Sequence, residues 1–235
     1  MKTEREKIIK KLMHNPELTF NKLWEKEGTS NSFAYHLKVL EEDNLVQKTE
    51  KGYSLTHEGK KYATYIEGES GKQGKFPLLS VIIVVFNEKE DQVLMMKRTK
   101  EPFFGYWGFI GGKIKFDQYV LECASEELKE ETGLEADLEL KGLLSCKTYN
   151  NDSLSYNHQM LIVKAANPKG KLIEKTREGF NKWFKISEVK DLKIFPNIPY
   201  GIEIALNPSF KWVEADRFQK DDKFVDIKIL KNKVL

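Results

Sequence analysis

The chain has 235 residues, 40% of them hydrophobic and 32% charged, with 39 Lys and Arg against 36 Asp and Glu. That length holds one large domain or two small ones, and the composition is that of a folded globular chain. Neither residues 1–75 (14 basic, 12 acidic) nor the remainder (25 and 24) is a basic body, so any nucleic-acid contact has to rest on a local patch. The longest apolar stretch, Leu78 to Phe86, is broken by Ser80. It falls well short of the ~18 residues of a membrane helix, and its β-branched content reads as a buried strand. Met1-Lys2-Thr3-Glu4-Arg5 opens a charged helix with no apolar signal core, so a cytoplasmic protein without a membrane partner is expected. The two cysteines, Cys123 and Cys146, read as reduced small hydrophobes, with one disulfide between them left open. No Cys/His cluster suggests zinc.

In chain order, Ile8, Ile9, Leu12 and Met13 follow helical spacing up to Asn15-Pro16. Phe20, Leu23 and Trp24 form a short second stripe that ends at Gly28. Thr29 or Ser30 caps a third helix, in which Phe33, Leu37 and Leu40 recur at i, i+4 and i+7. Leu45–Lys48 and Tyr53–Leu55 read as two strands around an Glu50-Lys51-Gly52 turn, and Thr56 caps a last helix from Glu58 to Ile66. Residues 67–75, with three glycines and no apolar residue, read as a linker. The expected division is residues 1–68, a linker over 69–76, and a second domain over 77–235.

Three helices, a hairpin and a helix is the order of a winged helix-turn-helix. The run from Phe33 to Val46 resembles the recognition helix and wing approach of small bacterial and archaeal winged-helix regulators, and Leu55 to Lys60 resembles their last helix. The resemblance covers residues 4–66. It implies that the solvent side of the third helix enters a major groove of double-stranded DNA. Asn31, Ser32, Tyr35, His36 and Lys38 are then the candidate contacts, with Lys48 and Lys51 on phosphate. Glu41, Glu42 and Asp43 crowd the same helix end and would repel a DNA backbone. The plainer alternative is a protein-contact or dimerisation module. His14, His36 and His57 are isolated and read as surface histidines.

The second part alternates. Leu79–Asn87 is a strand, and Gln92–Arg98 is its expected hairpin partner. After Trp107-Gly108-Phe109-Ile110 comes Gly111-Gly112-Lys113; Asp117 then caps a helix from Gln118 to Glu131, and Gly133 stands at its left-handed end. Leu121, Ala124 and Leu128 share the core side. Glu127, Glu130 and Glu131, at i, i+3 and i+4, converge on an adjacent side. A solvated acidic face has the same pattern. However, acids in the last turn oppose the helix dipole at ~0.3–1 kcal/mol each, and Glu126/Glu130 and Glu127/Glu131 are like charges four apart. A cation would offset both costs, and converging carboxylates suit Mg²⁺ or Mn²⁺ shared with substrate phosphates.

These residues resemble the Nudix box, G-x5-E-x7-R-E-U-x-E-E-x-G-U with U aliphatic. Gly112, Glu127, Leu128, Glu130, Glu131, Gly133 and Leu134 match with every spacing kept. Trp107 to Lys113 also resembles the family's strand entering the box, and Trp183 to Val189 its late strand and helix start. The resemblance runs over about residues 77–205. It implies an α/β fold, an α/β/α sandwich around a mixed sheet. It also implies substitution by water at phosphorus in a nucleoside diphosphate linked to another group, such as ADP-ribose or a nucleotide sugar. Glu127, Glu130 and Glu131 would hold Mg²⁺ or Mn²⁺ with the Gly111 carbonyl. Glu127 would be the base or metal-water partner, with Glu178 a weaker candidate from a later loop. Arg98 and Lys113 would touch substrate phosphates.

Two box positions depart. Gln118 replaces the first glutamate, and Glu126 replaces an arginine that orients the neighbouring glutamate in the family; Lys113, Lys115 or Lys129 could compensate. The departures keep a second function in view, a transcription regulator whose Nudix domain senses a nucleotide-type ligand with little or no turnover. A homodimer is expected in either case. Phe103, Phe104, Tyr106, Tyr149 and Tyr200 lie in loops or near strand ends, where any could stack on a base. Residues 207–235 are unassigned, with Phe210–Val213 and Phe224–Leu230 as possible added strands.

Overall fold

The computed structural model describes residues 4–26, 28–66 and 75–235, and nearly all of the expected linker lies outside them. The chain divides into two compact units, residues 1–75 and 76–235.

In the first unit, α1 (Glu4–His14), α2 (Phe20–Trp24) and α3 (Ser30–Glu42) precede a hairpin of β1 (Val46–Lys48) and β2 (Tyr53–Leu55), then α4 (His57–Ala63). One face of each long helix is apolar, and these faces meet: Ile8, Ile9 and Leu12 pack with Leu23, Phe33 and Leu37. Thr29 caps α3 by accepting from the Ser32 amide at 3.3 Å, and Thr56 caps α4 by accepting from Gly59 at 2.9 Å. The last helix stops at Ala63, three residues short of the expected Ile66, where the Thr64 hydroxyl donates back to the Lys61 carbonyl at 2.7 Å. A side chain competing for the backbone there favours an ending.

The second unit is built on β3 (Leu78–Val85), β4 (Gln92–Arg98), β5 (Trp107–Gly108), β6 (Ile110–Lys113), α5 (Val120–Thr132), β7 (Leu134–Asn150), β8 (Ser153–Gly170), β9 (Gly179–Lys185), α6 (Ile198–Leu206), β10 (Lys211–Lys220) and β11 (Lys223–Val234). A six-stranded mixed sheet runs β11-β10-β7-β8-β3-β6, with β3–β8 and β10–β7 parallel. A three-stranded antiparallel sheet runs β5-β4-β9.

Alternate residues of β3 and β4 enter two separate cores. Val84, Phe86, Val93 and Met95 pack on the side of α6, while Val81, Ile83, Leu94 and Met96 pack on the side of α5. Burial on both faces is why these strands read as near-continuous apolar runs. It also corrects the hairpin expectation. Both flanks of β3 are taken by β8 and β6, so β4 keeps only an isolated bridge, Phe86 to Val93, and pairs with β9 instead. The unassigned C-terminal residues form β10 and β11, and β10 extends the sheet beside β7.

Candidate active site

Helix α5 begins at Val120, two residues later than expected. Asp117 is not its cap: Tyr119 occupies that place, and its amide donates to Glu122 at 3.2 Å. The later start puts Leu121 in the outer first turn, where it is 42% exposed rather than in the core. Cys123, Ala124 and Leu128 form the buried side. Gly133, at φ 75°, closes the helix, and its amide donates to the Lys129 carbonyl at 2.9 Å.

The three predicted acids sit at three depths. Glu131 is buried at 9% exposure, Glu127 is half-buried, and Glu130 is exposed. Glu131 Oε2 is fully buried without a hydrogen-bond partner. Its carboxyl is pushed up to about 7, first by burial and then by Glu127, with a backbone hydrogen bond from Gly111 pulling the other way. Glu178 adds to the rise and Lys100 opposes it. Glu127 is raised by burial, then by Glu130, and is eased by Lys115. The groups are electrostatically coupled, as carboxylates sharing a low-dielectric corner must be.

Strand β6 forms the other wall. Gly111 pairs with Ile82 and Gly112 with Val81 of β3. A Cβ on Gly112 would overlap the Glu127 carboxylate, so the bare backbone there makes room for that side chain.

Among the described residues no three His, Cys, Asp or Glu side chains close into a metal cage. The donors nonetheless fit a hard divalent cation. All are carboxylate or backbone oxygens, one carboxylate oxygen is buried and unpartnered, and two of the acids are held above their ordinary range, first by burial and then by neighbouring glutamates. Such a cation keeps several waters and needs only one or two carboxylates plus substrate oxygens.

The two box departures meet. Gln118 Nε2 donates to Glu126 Oε2 at 2.5 Å. The amide therefore ties the glutamate down, which removes part of the repulsion expected from the substitution. Among the lysines weighed as compensation, Lys115 acts on Glu127, whereas Lys129 is spent on Glu135 at 2.7 Å.

Of the candidate phosphate contacts, Lys113 is exposed at the end of β6, and Arg98 Nε is turned onto the Pro102 carbonyl at 3.1 Å. Glu178 is paired with Lys100 and stands within electrostatic reach of Glu127 and Glu131. Sequence reasoning missed Lys100, whose only signal was its place two residues after Arg98. It also missed Asn181, buried at 4%, whose amide donates to the Glu131 and Ile173 carbonyls at 2.6 and 2.8 Å and ties the end of α5 to β9. Of the aromatics weighed for stacking, Phe103 and Tyr106 lie in a cluster with Tyr156, Phe195 and Phe224. Tyr149 stacks on Phe218, and Phe104 is exposed. Cys123 and Cys146 are both buried free thiols.

In the first unit, Asn31, Ser32, Tyr35 and Lys38 are exposed on α3, and Lys48 and Lys51 are exposed on the hairpin. His36 departs from the surface reading. Its Nδ1 is buried without a partner, and its ring lies 5.4 Å from Tyr35.

A pH dependence follows from Glu131. Its ordinary value is 4.5, so between about 4.5 and 7 the folded state holds a proton that the unfolded state has released. Stability from this group is therefore full below that window and lost as pH rises through it. The metal-free protein is expected to melt at a lower temperature near pH 7.5 than near pH 5, and Glu131→Gln to flatten that dependence. Equal slopes for wild type and variant in a thermal melt series would contradict it.

A family model described as the NUDIX domain matches residues 77–202, and one described as a domain of unknown function matches residues 2–66. An ADP-ribose pyrophosphatase of Methanocaldococcus jannaschii is 40% identical over 47 residues, which span 20% of this chain and 28% of that protein. The crystal structure of a MutT protein from Bacillus halodurans superposes with a TM-score of 0.53 at 22% identity, covering 67% of this chain and 97% of that one. The NUDIX domain of Shewanella oneidensis NrtR, solved with ADP-ribose, gives a TM-score of 0.49 at 21% identity, with 64% and 97% covered.

Proposed function

Because the chain belongs to the NUDIX family, we propose that it is a divalent-metal-dependent hydrolase of a nucleoside diphosphate linked to another moiety. The observation that carries the reading is the coupled pair Glu127 and Glu131, set against the bare backbone of Gly111 and Gly112. Glu131, Glu127 and Glu130 would hold Mg²⁺ or Mn²⁺, with Gly111 beside them. When bound, the cation supplies charge against the diphosphate and acidifies a water.

This chain's own residues do the rest. Glu127, raised by burial and half-buried, would be the group to take a proton from a water there. Glu178 is the second candidate base, and its pairing with Lys100 holds it in reach. Lys115 eases the charge on Glu127, and Lys100 eases that on Glu131. Asn181 fixes the end of α5, and Gln118 holds Glu126 aside.

The test is a panel of dinucleoside, nucleotide-sugar and ADP-ribose-type diphosphates incubated with the protein and Mg²⁺. Turnover that is lost with chelator supports the reading. No turnover of any member, or equal turnover by Glu127→Gln and Glu131→Gln, overturns it and favours a ligand-sensing domain.

For the first unit we propose a winged helix that reads double-stranded DNA through α3. The exposed polar side of that helix and the two hairpin lysines support it. Tyr35→Ala should relax sequence preference, while Lys51→Ala should weaken binding evenly and reduce the salt slope by about 1. A genomic DNA selection at stated salt that enriches no site would exclude this role and leave a protein-contact module.

A further inference from the structure

The ion pair between Lys100 and Glu178 joins two segments beside the acid group, and the backbone sets it. Arg98, the last residue of β4, pairs with Gly179 at the start of β9, and the Thr99 amide donates to the Glu178 carbonyl at 3.2 Å. A Cβ on Gly179 would overlap the Lys97 carbonyl, so the bare residue lets the two strands close up there. Thr176 Oγ1 accepts from the Glu178 and Gly179 amides at 3.2 and 3.3 Å and fixes the turn before β9. Lys100 and Glu178 are therefore brought together by strand register, and do not meet by chance on the surface.

The same stretch reaches the buried acid. Asn181, three residues after Glu178, binds the Glu131 carbonyl at 2.6 Å. Glu178 thus joins Glu127, Glu130 and Glu131 as a fourth carboxylate of the group; its charge raises both Glu127 and Glu131, and Lys100 eases Glu131.

The two ends of this group differ in what they lack. Glu131 is 9% exposed, and its Oε2 is buried without a hydrogen-bond partner. Glu178 already has its positive partner, because Lys100 Nζ holds its Oε2. Arg177 also stands 3.5 Å from Glu178 Oε1, but its side chain is 93% exposed, and a pair of that kind contributes little. A cation that sought Glu178 as a ligand would have to displace an ammonium held in place by the backbone.

We propose that Lys100 is a built-in substitute for a second divalent cation: it occupies Glu178, so that the acid group takes one Mg²⁺ or Mn²⁺ and not two. Two divalent ions on shared carboxylates can clamp both the attacking and the leaving oxygen. A lysine ammonium is a compact point charge with three donors. It neutralises Glu178 but offers no coordination place for a water or a phosphate oxygen. Lys100 is therefore a positioning residue, and with Glu178 so held the base is Glu127. The proposal rests on the cation reading of the acid group and adds how many ions that group takes.

The test is titration of the full chain with Mn²⁺ alone, read by electron paramagnetic resonance. Wild type should bind one ion per chain. Lys100→Met should bind two, with the dipolar broadening of neighbouring ions, and adding Glu178→Gln to it should restore one. Arg177→Met should stay at one. Circular dichroism establishes that each variant is folded, and Lys100→Gln is read in place of Lys100→Met if the latter is not. Two ions in wild type, one ion in the folded Lys100 variant, a second ion that survives Glu178→Gln, or a second ion gained by Arg177→Met overturns the proposal and leaves the hydrolase reading standing. No ion in wild type overturns the cation reading itself, and this proposal falls with it.

Discussion

Glu131→Gln is expected to lower turnover by at least ~100-fold while raising the melting temperature of the metal-free protein above pH 7. The two effects have one cause. The Glu131 carboxyl is buried, coupled to Glu127, and has an oxygen with no partner. An ionised acid in that position costs the fold free energy, which the neutral amide does not. The same charge is what a divalent cation would use. Glu127→Gln should give a comparable loss of turnover with a smaller stability gain, because Glu127 is half-buried and eased by Lys115. Steady-state kinetics, Mn²⁺ affinity and thermal melts at about pH 8 check this together. A Glu131→Gln enzyme within threefold of wild type, or one that melts lower, would remove Glu131 from the cation site.

Gly112→Ala should separate chemistry from folding. The added methyl meets only the far end of the Glu127 side chain, which can rotate away. The fold should survive, and turnover should fall by about 10- to 100-fold, the scale of a misplacement near 1 Å. Gly111→Ala is the contrast. There the methyl meets the Val81 carbonyl of the neighbouring strand, which cannot yield without moving the sheet. That variant should lose stability first. Melting temperatures and kcat for the pair decide the matter; if Gly112→Ala keeps full activity, the proposed placing of Glu127 is wrong.

Much of the fold was legible because local rules governed it. The heptad-like recurrence of Phe33, Leu37 and Leu40 and the Thr29 and Thr56 caps specify α3 and α4 within the chain itself. Gly133 likewise marks the end of α5. What escaped was non-local. The partner of β4 is β9, more than eighty residues away in sequence, and nothing between Val85 and Gln92 says that the turn opens into two sheets. Leu121 was misplaced because helical spacing gives the side it shares with Ala124 and Leu128 but not that the first turn of α5 lies beyond the cover of the core, where Leu121 is 42% exposed. At the site, spacing brought Glu127 and Glu131 together correctly but could not rank their depths, since burial is set by β6 and β9 rather than by the helix. Lys100 and Asn181 reach the acids from other strands and loops, so no pattern around the box contained them. The Gln118–Glu126 hydrogen bond shows the same limit: two departures read separately as losses are one contact in space.

Strand β10 carries a further consequence, for the order in which the second unit is assembled. Arg217 bonds Thr148, which precedes it by 69 residues, and β10 pairs in parallel with β7, so the interaction cannot be made by a local hairpin. At the ~5–20 residues per second of synthesis, several seconds separate the emergence of the two strands. During that interval β7 has a free edge on its β10 side, and an open parallel edge is slow to fill and prone to wrong pairing. The acids of α5 and the glycines of β6 precede β10 in the chain. A nascent or clipped chain that stops before β10 would therefore carry the acid group of α5 while β7 still has an unpaired edge.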